Sequence, residues 1–373
     1  ARNFDPSRPL HYEGGIRGNW MGSHSLTDVI CPMYPAITAI KEYATSAKAD
    51  RPLIMCEYSH AMGNSNGTLA EYWEVIETTR GLQGGFIWEF WDHGPVQTMP
   101  DGSKRNAYGG DYGEKKHDGN FCCDGMVFPD RTAKPAMAEF KAIAAPANIS
   151  AVKASTGSFK IFNKHFFKDL SEYEVAWTIT RDGLITDSGK VKLAKVAPRK
   201  TVAFKVASKH LAKADGLGER FITFTLIKID STPWAPAFTE VGWNQMALPS
   251  RALTIKAAKA SDEFTNVLDD YGQIVLPRGV VAPVLSLWRA PTDNDRIGHM
   301  ATKWNRWGLR DMDRTDCVVS QNRTSAKITN TWQTSTGISI KHVQTITPVA
   351  DGFRVKESVT LPKALTDVAR IGI

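Results

Sequence analysis

Residues 51–65 read RPLIMCEYSHAMGNS, and the fold turns on how that stretch divides. Leu53, Ile54, Met55 and Cys56 form an unbroken apolar run of strand length. That is the pattern of a strand covered on both faces, as in a parallel sheet. The run stops on a carboxylate, Glu57, and passes through Tyr58, Ser59 and His60 into a Gly/Asn turn. Charge at the carboxyl end of a parallel strand is where α/β enzymes place their chemistry. From this stretch alone, a Glu that meets solvent as the chain leaves the core is an equal reading.

Downstream, Leu69, Tyr72, Trp73 and Ile76 recur at helical spacing, with Glu71, Glu74 and Glu77 on the other side. Arg80-Gly81 gives a basic last turn and a stop. Gly85 to Asp92 (GFIWEFWD) reads as a second strand. Strand, helix and strand in this space predict a βαβ unit, with Glu57, His60, Trp88 and Asp92 at one end of the sheet. Pro9–Glu13 and Asp28–Tyr34 read as two further short strands, so four parallel-type strands are expected, half of an eight-stranded barrel. Residues 94–131 form a long Gly-rich connection, a length usually tied to function.

Four strings in order, RPLIMCEYSHAMGNS, LQGGFIWEFWDHG (82–94), AYGGDYG (107–113) and FCCDGMVFPDR (121–131), resemble the second half of the catalytic barrel of the family 2 glycoside hydrolases. The likeness is to the large bacterial β-galactosidases of the lacZ type. It is strong over residues 6–140, thin between about 150 and 280, and returns at WRAPTDND (288–295), which resembles the opening of that family's C-terminal sandwich. The resemblance implies a retaining hydrolase of terminal β-D-galactosides acting through a covalent glycosyl-enzyme, which needs two carboxyl groups about 5–5.5 Å apart.

Residue by residue, the resemblance makes Glu57 the nucleophile and Tyr34 its orienting neighbour. It makes His60, Met62 and Trp88 sugar contacts. Phe121, through its carbonyl, and Asp124, through its side chain, become ligands of a sodium ion beside the sugar 6-hydroxyl. Asp124 departs from the Asn of the best-known members; hard oxygen ligands still suit such a cation. The family's acid/base Glu and most ligands of its Mg²⁺ belong to segments upstream of the matched motifs, and Glu89 and Asp92, nearest by sequence, do not match the pattern. Without the resemblance, Tyr34 is as well read as a core tyrosine, His60 as a turn-stabilising histidine, and Trp88 as one of eleven mostly structural tryptophans. A Cys56–His60 nucleophile is the rival within the same stretch. Alternation disfavours it, because Cys56 and Glu57 point to opposite faces of a strand.

The other 226 or so residues change character near Pro146. Alternating runs such as Tyr173–Thr180 and Phe221–Ile227, with Arg181-Asp182-Gly183 as a hairpin turn, predict a β-sandwich. The expected architecture is multidomain, α/β followed by all-β. A partial (β/α)₈ barrel occupies 1–147 and an immunoglobulin-like β-sandwich 148–256. Residues 257–373 are the N-terminal part of a large C-terminal sandwich, with turns at Asp269–Gly272 and Asp351-Gly352.

The formal charge is +7, but residues 1–147 carry fourteen Lys/Arg against eighteen Asp/Glu, so the basic excess lies later and is scattered. That argues against a nucleic-acid face. No apolar run approaches a membrane span. Cysteines at 31, 56, 122, 123 and 317 have neither metal nor disulfide spacing, which favours a reducing, cytoplasmic home. The chain reads as an excerpt of a longer, homo-oligomeric enzyme, and alone it is expected to be inactive. The competing classes are a non-catalytic carbohydrate-binding or scaffolding sandwich protein, and a family 2 relative with another sugar specificity.

Overall fold

The computed structural model describes all of residues 1–373 except 23, 192, 194, 213–217, 251–267, 276–281 and 350–351. The chain divides into two compact units, Ala1–Ala252 and Leu253–Ile373. The expected boundary at 256/257 and the turn residue Asp351 lie outside the described residues.

In the first unit, β1 (Leu53–Tyr58) pairs in parallel with β2 (Leu82–Ile87), Leu53 facing Leu82 and Tyr58 facing Ile87. Leu53, Met55 and Tyr58 are buried together with Ile30, Ile40, Leu69 and Leu82. Gly85 permits the close approach, since a Cβ there would lie 2.8 Å from that of Met55. Before β1 stands α1 (Ile37–Thr45), and between the strands runs α2 (Leu69–Thr78). The apolar stripe of α2 docks as its spacing predicts. Leu69 and Ile76 are buried, Trp73 Nε1 donates to Tyr58 Oη at 2.9 Å, and Tyr72 Oη donates to the Pro35 carbonyl at 2.6 Å. Gly81, at φ +93°, makes the turn back into β2.

The expected four-stranded sheet is not what forms. Among the described residues, β1 and β2 alone pair as regular parallel strands. Ile30–Tyr34 runs alongside β1 as an interrupted ladder: Ile54 N–H donates to Ile30 O, Cys56 N–H to Pro32 O, and Tyr34 N–H to Glu57 O. Pro32 has no N–H for the Ile54 carbonyl, and His11 Nε2 lies 3.0 Å from that oxygen instead. Pro9–Glu13 is not a strand. Its backbone is satisfied by side chains, Leu10 N–H by Asp28 Oδ2 and Tyr12 N–H by Thr27 Oγ1, and it runs into a 3₁₀ turn at Glu13–Gly15. Nor does the second strand reach Asp92. Past Trp88 the chain pairs with 122–127 instead, Met126 N–H donating to Glu89 O and Asp92 N–H to Val127 O. Arg51, the first residue of the opening stretch, fastens the preceding loop by donating to the carbonyls of Trp20, Gly22 and Thr27.

The long connection contains a small hairpin, β3 (Val96–Thr98) with β4 (Lys104–Asn106), and leads to α3 (Ala136–Ile143). Seven antiparallel strands follow. β5 (Ala147–Lys153), β6 (Ser158–Asn163) and β9 (Thr201–Lys205) form one sheet. β7 (Tyr173–Arg181), β8 (Leu184–Val191), β10 (Arg220–Lys228) and β11 (Thr239–Ala247) form the other, in the order β11-β10-β7-β8. The core between them is built on Phe159, Phe204 and Phe224, whose ring centroids lie 4.8–5.9 Å apart. Asp182-Gly183 closes the β7–β8 hairpin with both φ angles positive, as its turn type requires.

In the second unit, Thr292 and Asp295 of the WRAPTDND string form a capping box on α4 (Asp293–Ile297), and Arg289 grips Asp295 with both guanidinium nitrogens, at 2.6 and 3.1 Å. α5 (Met300–Arg306) follows. Then come four antiparallel strands in sequence order, β12 (Met312–Gln321), β13 (Ala326–Thr334), β14 (Ser339–Val349) and β15 (Gly352–Thr360). Among the described residues no helix is long and apolar enough to cross a membrane.

Candidate active site

Glu57 is the penultimate residue of β1 and is half-buried. The ladder that ends there brings Tyr34 beside it. The hydroxyl of Tyr34 is held above its ordinary pKa by burial, then by its hydrogen bond to Glu57 and by that carboxylate's charge, so it stays protonated and donates. Tyr34 is not a core tyrosine, since 40% of its surface is open. Two non-glycine residues flank this strand end in left-handed backbone, Tyr34 at φ 46° and Ser59 at φ 54°. Such conformations cost on the order of 1–3 kcal/mol each and cluster where geometry is imposed for function. Asn66 Nδ2 steadies Ser59 by donating to its Oγ at 2.8 Å.

From Glu57 the site continues through His60. Its ring meets Tyr34 edge-on at 5.9 Å and stacks on Phe121 at 5.6 Å. Its Nε2 lies 3.8 Å from Asp124 Oδ2. Trp88, just past β2, donates from Nε1 to the same Asp124 oxygen at 3.4 Å, and its carbonyl accepts from Ala61 N–H at 2.8 Å. Trp88 keeps 39% of its surface open and Phe121 48%. Tyr34, Glu57, His60, Trp88, Phe121 and Asp124 therefore form one connected group at the carboxyl ends of the parallel segments. Met62, two residues past His60, is buried at 4% exposure.

The oxygen chemistry at Asp124 bears on a cation. Asp124 is 2% exposed, and its Oδ1 is buried with no hydrogen-bond partner among the described residues. A buried, unsatisfied carboxylate oxygen is costly unless an ion or water completes it, and such an oxygen suits a hard monovalent cation. Among the described residues no group of three or more His, Cys, Asp or Glu is assembled to hold a metal ion.

Two features of the site carried no sequence signal. Asp92 is 4% exposed and accepts from Lys134 Nζ at 2.8 Å and from Gly125 N–H at 2.6 Å, so it is a buried clamp on the chain next to Asp124. Lys134 is 42 residues away, and no local pattern couples the two. Glu89 sits against Asp124, its N–H donating to the Asp124 carbonyl at 2.8 Å. Burial raises its carboxyl pKa, against the pull of His93, whose Nε2 lies 3.2 Å away. Cys56 packs against the β1 core, and burial pushes its thiol up to about 11, so it is not a thiolate at neutral pH.

Comparison with known proteins identifies the family. Residues 1–149 match the family model described as glycosyl hydrolases family 2, TIM barrel domain, and residues 159–249 match β-galactosidase, domain 4. The chain is 33% identical to a β-galactosidase of Priestia megaterium over 81% of its length and 31% of that protein's. A β-galactosidase of Vibrio vulnificus is 30% identical over all of this chain and 40% of its own. The chain thus spans about a third of the length of the curated relatives it matches. Among solved structures, the exo-chitosanase CsxA of Amycolatopsis orientalis is similar over 63% of this chain and 29% of that chain, at 11% identity and a TM-score of 0.23, too slight to carry an argument.

Proposed function

Because the chain belongs to family 2 of the glycosyl hydrolases, we propose that it supplies the nucleophile side of a retaining β-galactosidase site, as part of a longer polypeptide. The observation that carries this reading is the Glu57–Tyr34 pair at a parallel strand end, joined through His60 to Asp124 and Trp88. A Glu57 oxygen attacks the anomeric carbon, the bond to the aglycone oxygen breaks, and that oxygen leaves with a proton from a second carboxyl group. Water then cleaves the glycosyl ester and frees Glu57. The Tyr34 hydroxyl orients Glu57 before attack and stabilises its charge when the ester is cleaved. Trp88 offers an open aromatic face to sugar C–H groups, and the His60 ring a polar edge. Met62, buried two residues past His60, is the remaining residue assigned to the sugar contacts.

Asp124 Oδ1 and the Phe121 carbonyl would hold a sodium ion, which when bound supplies a positive charge for a sugar hydroxyl oxygen. No residue of this chain is assigned as the acid. Asp92 is buried in its pair with Lys134, and Glu89 turns to His93. The same reading includes an immunoglobulin-like assignment for the seven-stranded sandwich, domain limits at 147 and 256, the second unit as the opening of a larger sandwich, homo-oligomeric assembly and a cytoplasmic home.

The test is covalent trapping. A 2-deoxy-2-fluoro-β-galactoside with an activated leaving group slows the second step more than the first. Digestion and mass spectrometry of the full-length enzyme should find the fluorosugar on the peptide containing Glu57. Labelling of a different carboxylate would refute the assignment.

A further inference from the structure

The seven-stranded sandwich carries a groove of about 550 Å³ that is remote in sequence from every residue of the candidate active site. It lies between the loop that leads into β7 and the segment after β10. Its size is that of a small-ligand pocket. Three large aromatic side chains on it face solvent: Phe167 at 95% exposure, Phe166 at 69% and Trp234 at 69%. Such a concentration of open aromatic surface at one place on a folded domain marks a binding site.

Charge at the groove is one-sided. Lys228 is 3% exposed, and its ammonium is 3.0 Å from Glu172 Oε2 and about 6 Å from the ring centres of Tyr173 and Trp234. Lys168 takes the other oxygen of the same carboxylate, Glu172 Oε1, at 3.2 Å. Two lysines thus share one Glu. Lys164 lines the groove as well, paired with Glu77 at 2.5 Å, and beside the groove the Arg199 guanidinium lies 4.6 Å from the centre of the Phe166 ring, with no carboxylate partner among the described residues. Hydrogen-bond donors therefore outnumber acceptors, and both oxygens of the one carboxylate are taken. A ligand that fits must bring its own acceptors and negative charge, together with an apolar face for the aromatic rings.

We propose that this groove binds an acidic saccharide, a uronate-containing oligosaccharide. Its C–H face would lie on Trp234 and Phe167, and its carboxylate would complete the surplus of Lys168 and Lys228. That the ligand is a sugar rests on the glycoside-hydrolase reading. The charge and the aromatic platform do not.

The experiment titrates the 373-residue chain with digalacturonate, with neutral galactobiose and with sodium sulfate, followed by calorimetry and tryptophan fluorescence. Digalacturonate should bind saturably and more weakly as salt rises. Trp234→Ala and Lys168→Glu, both at exposed positions, should each weaken it tenfold or more, while Glu57→Gln leaves it unchanged. Galactobiose binding as tightly would overturn the charge argument, and sulfate competing at equal concentration would reduce the groove to a simple anion site. Loss of binding in Glu57→Gln would put the ligand in the active site instead, and no binding by any of the three ends the proposal. None of these outcomes depends on where the fluorosugar attaches, so the two readings fail separately.

Discussion

The backbone N–H of Tyr34 donates to the carbonyl of Glu57 at 2.8 Å, one residue beyond where the regular ladder between Ile30–Tyr34 and β1 would have paired it. That slip turns Tyr34 into left-handed backbone at φ 46° and brings its hydroxyl to the carboxylate it would otherwise pass. The backbone bond does not depend on the side chain, so Tyr34→Phe should keep the geometry and lose only the hydroxyl. A hydrogen bond to a charged group contributes about 1.5–3 kcal/mol, or roughly ten- to a hundredfold in rate. In the enzyme that contains this chain, kcat should fall by that factor while KM and melting temperature barely move. The Tyr34 pKa is raised, so the phenol donates throughout neutral and mildly alkaline pH, and the loss should be the same at pH 6 and pH 9. A variant at full turnover would remove Tyr34 from the mechanism.

Glu57→Gln tests the other member of the pair. An amide cannot form the glycosyl ester, so turnover of an aryl β-galactoside should fall by several orders of magnitude, on the order of the whole nucleophilic contribution. The side chain is half-buried and nearly isosteric, so the fold should survive. A tenth of wild-type turnover in the purified variant would rule out the nucleophile role.

Cys56 distinguishes the carboxylate mechanism from a thiol one. With its pKa pushed up to about 11, about one thiol in a thousand is ionised at pH 8, against roughly a quarter for a free cysteine near 8.5. Iodoacetamide should therefore label Cys56 about two orders of magnitude more slowly than a free thiol. The rate should climb as pH rises toward 11, and Cys56→Ser should keep turnover. Fast labelling at pH 7 that stops the reaction would favour the cysteine reading.

What could be read from the sequence follows from which signals are local. The run at Leu53–Cys56, the stripe of α2 and the hairpin turn at Asp182-Gly183 all depend on residues close in the chain, and all form as written. The strand expected at Pro9–Glu13 failed because Asp28 and Thr27 side chains, from a distant loop, satisfy its backbone instead of a neighbouring strand. The pairing of Glu89–Asp92 with 122–127 escaped notice because the glycine-rich context of that partner reads as a loop. In β13 and β14 alternation misleads about chemistry. Asn330, His342 and Gln344 take inward positions that the pattern reserves for apolar residues, and they are satisfied by one another, by Trp332 and by Glu357. At the site, Glu57 was nameable because it ends a strand-like run, and Tyr34, His60 and Trp88 because of the motifs they sit in, whereas the Asp92–Lys134 clamp has no short-range trace.

That clamp should matter for stability as well as position. Both side chains are buried, and breaking a buried pair from one side costs about 3–5 kcal/mol because the other charge is left unpaired. Asp92→Ala should lower the midpoint of denaturant unfolding accordingly, whereas the double variant Asp92→Asn with Lys134→Met should recover a large part of the loss. Gly125→Ala should be as damaging as the single change, since its Cβ would run into the backbone of Trp91 and Asp92. An unchanged midpoint in Asp92→Ala would show that the pair is hydrated and does not hold Asp124 in place.

The same burial fixes what the 373 residues can do alone. A retaining site needs a nucleophile and a proton donor on opposite sides of the scissile bond. On the proposed assignment the nucleophile side is here, but Asp92 is held by Lys134 and Gly125, and Glu89 is turned to His93 and to the chain at Asp124. Both carboxyl groups are thus engaged in contacts of their own. The isolated chain should therefore show no saturable hydrolysis of unactivated β-galactosides such as lactose. A nitrophenyl galactoside needs less help from an acid, because its leaving group departs as a stable anion, so it is the stricter assay. Turnover of that substrate by the purified chain should be indistinguishable from that of its Glu57→Gln variant. If the wild-type chain turns over and the variant does not, the half-site is sufficient. Glu89→Gln in the active chain would then decide whether Glu89 is the missing donor, since loss with lactose but not with the activated substrate is the mark of an acid.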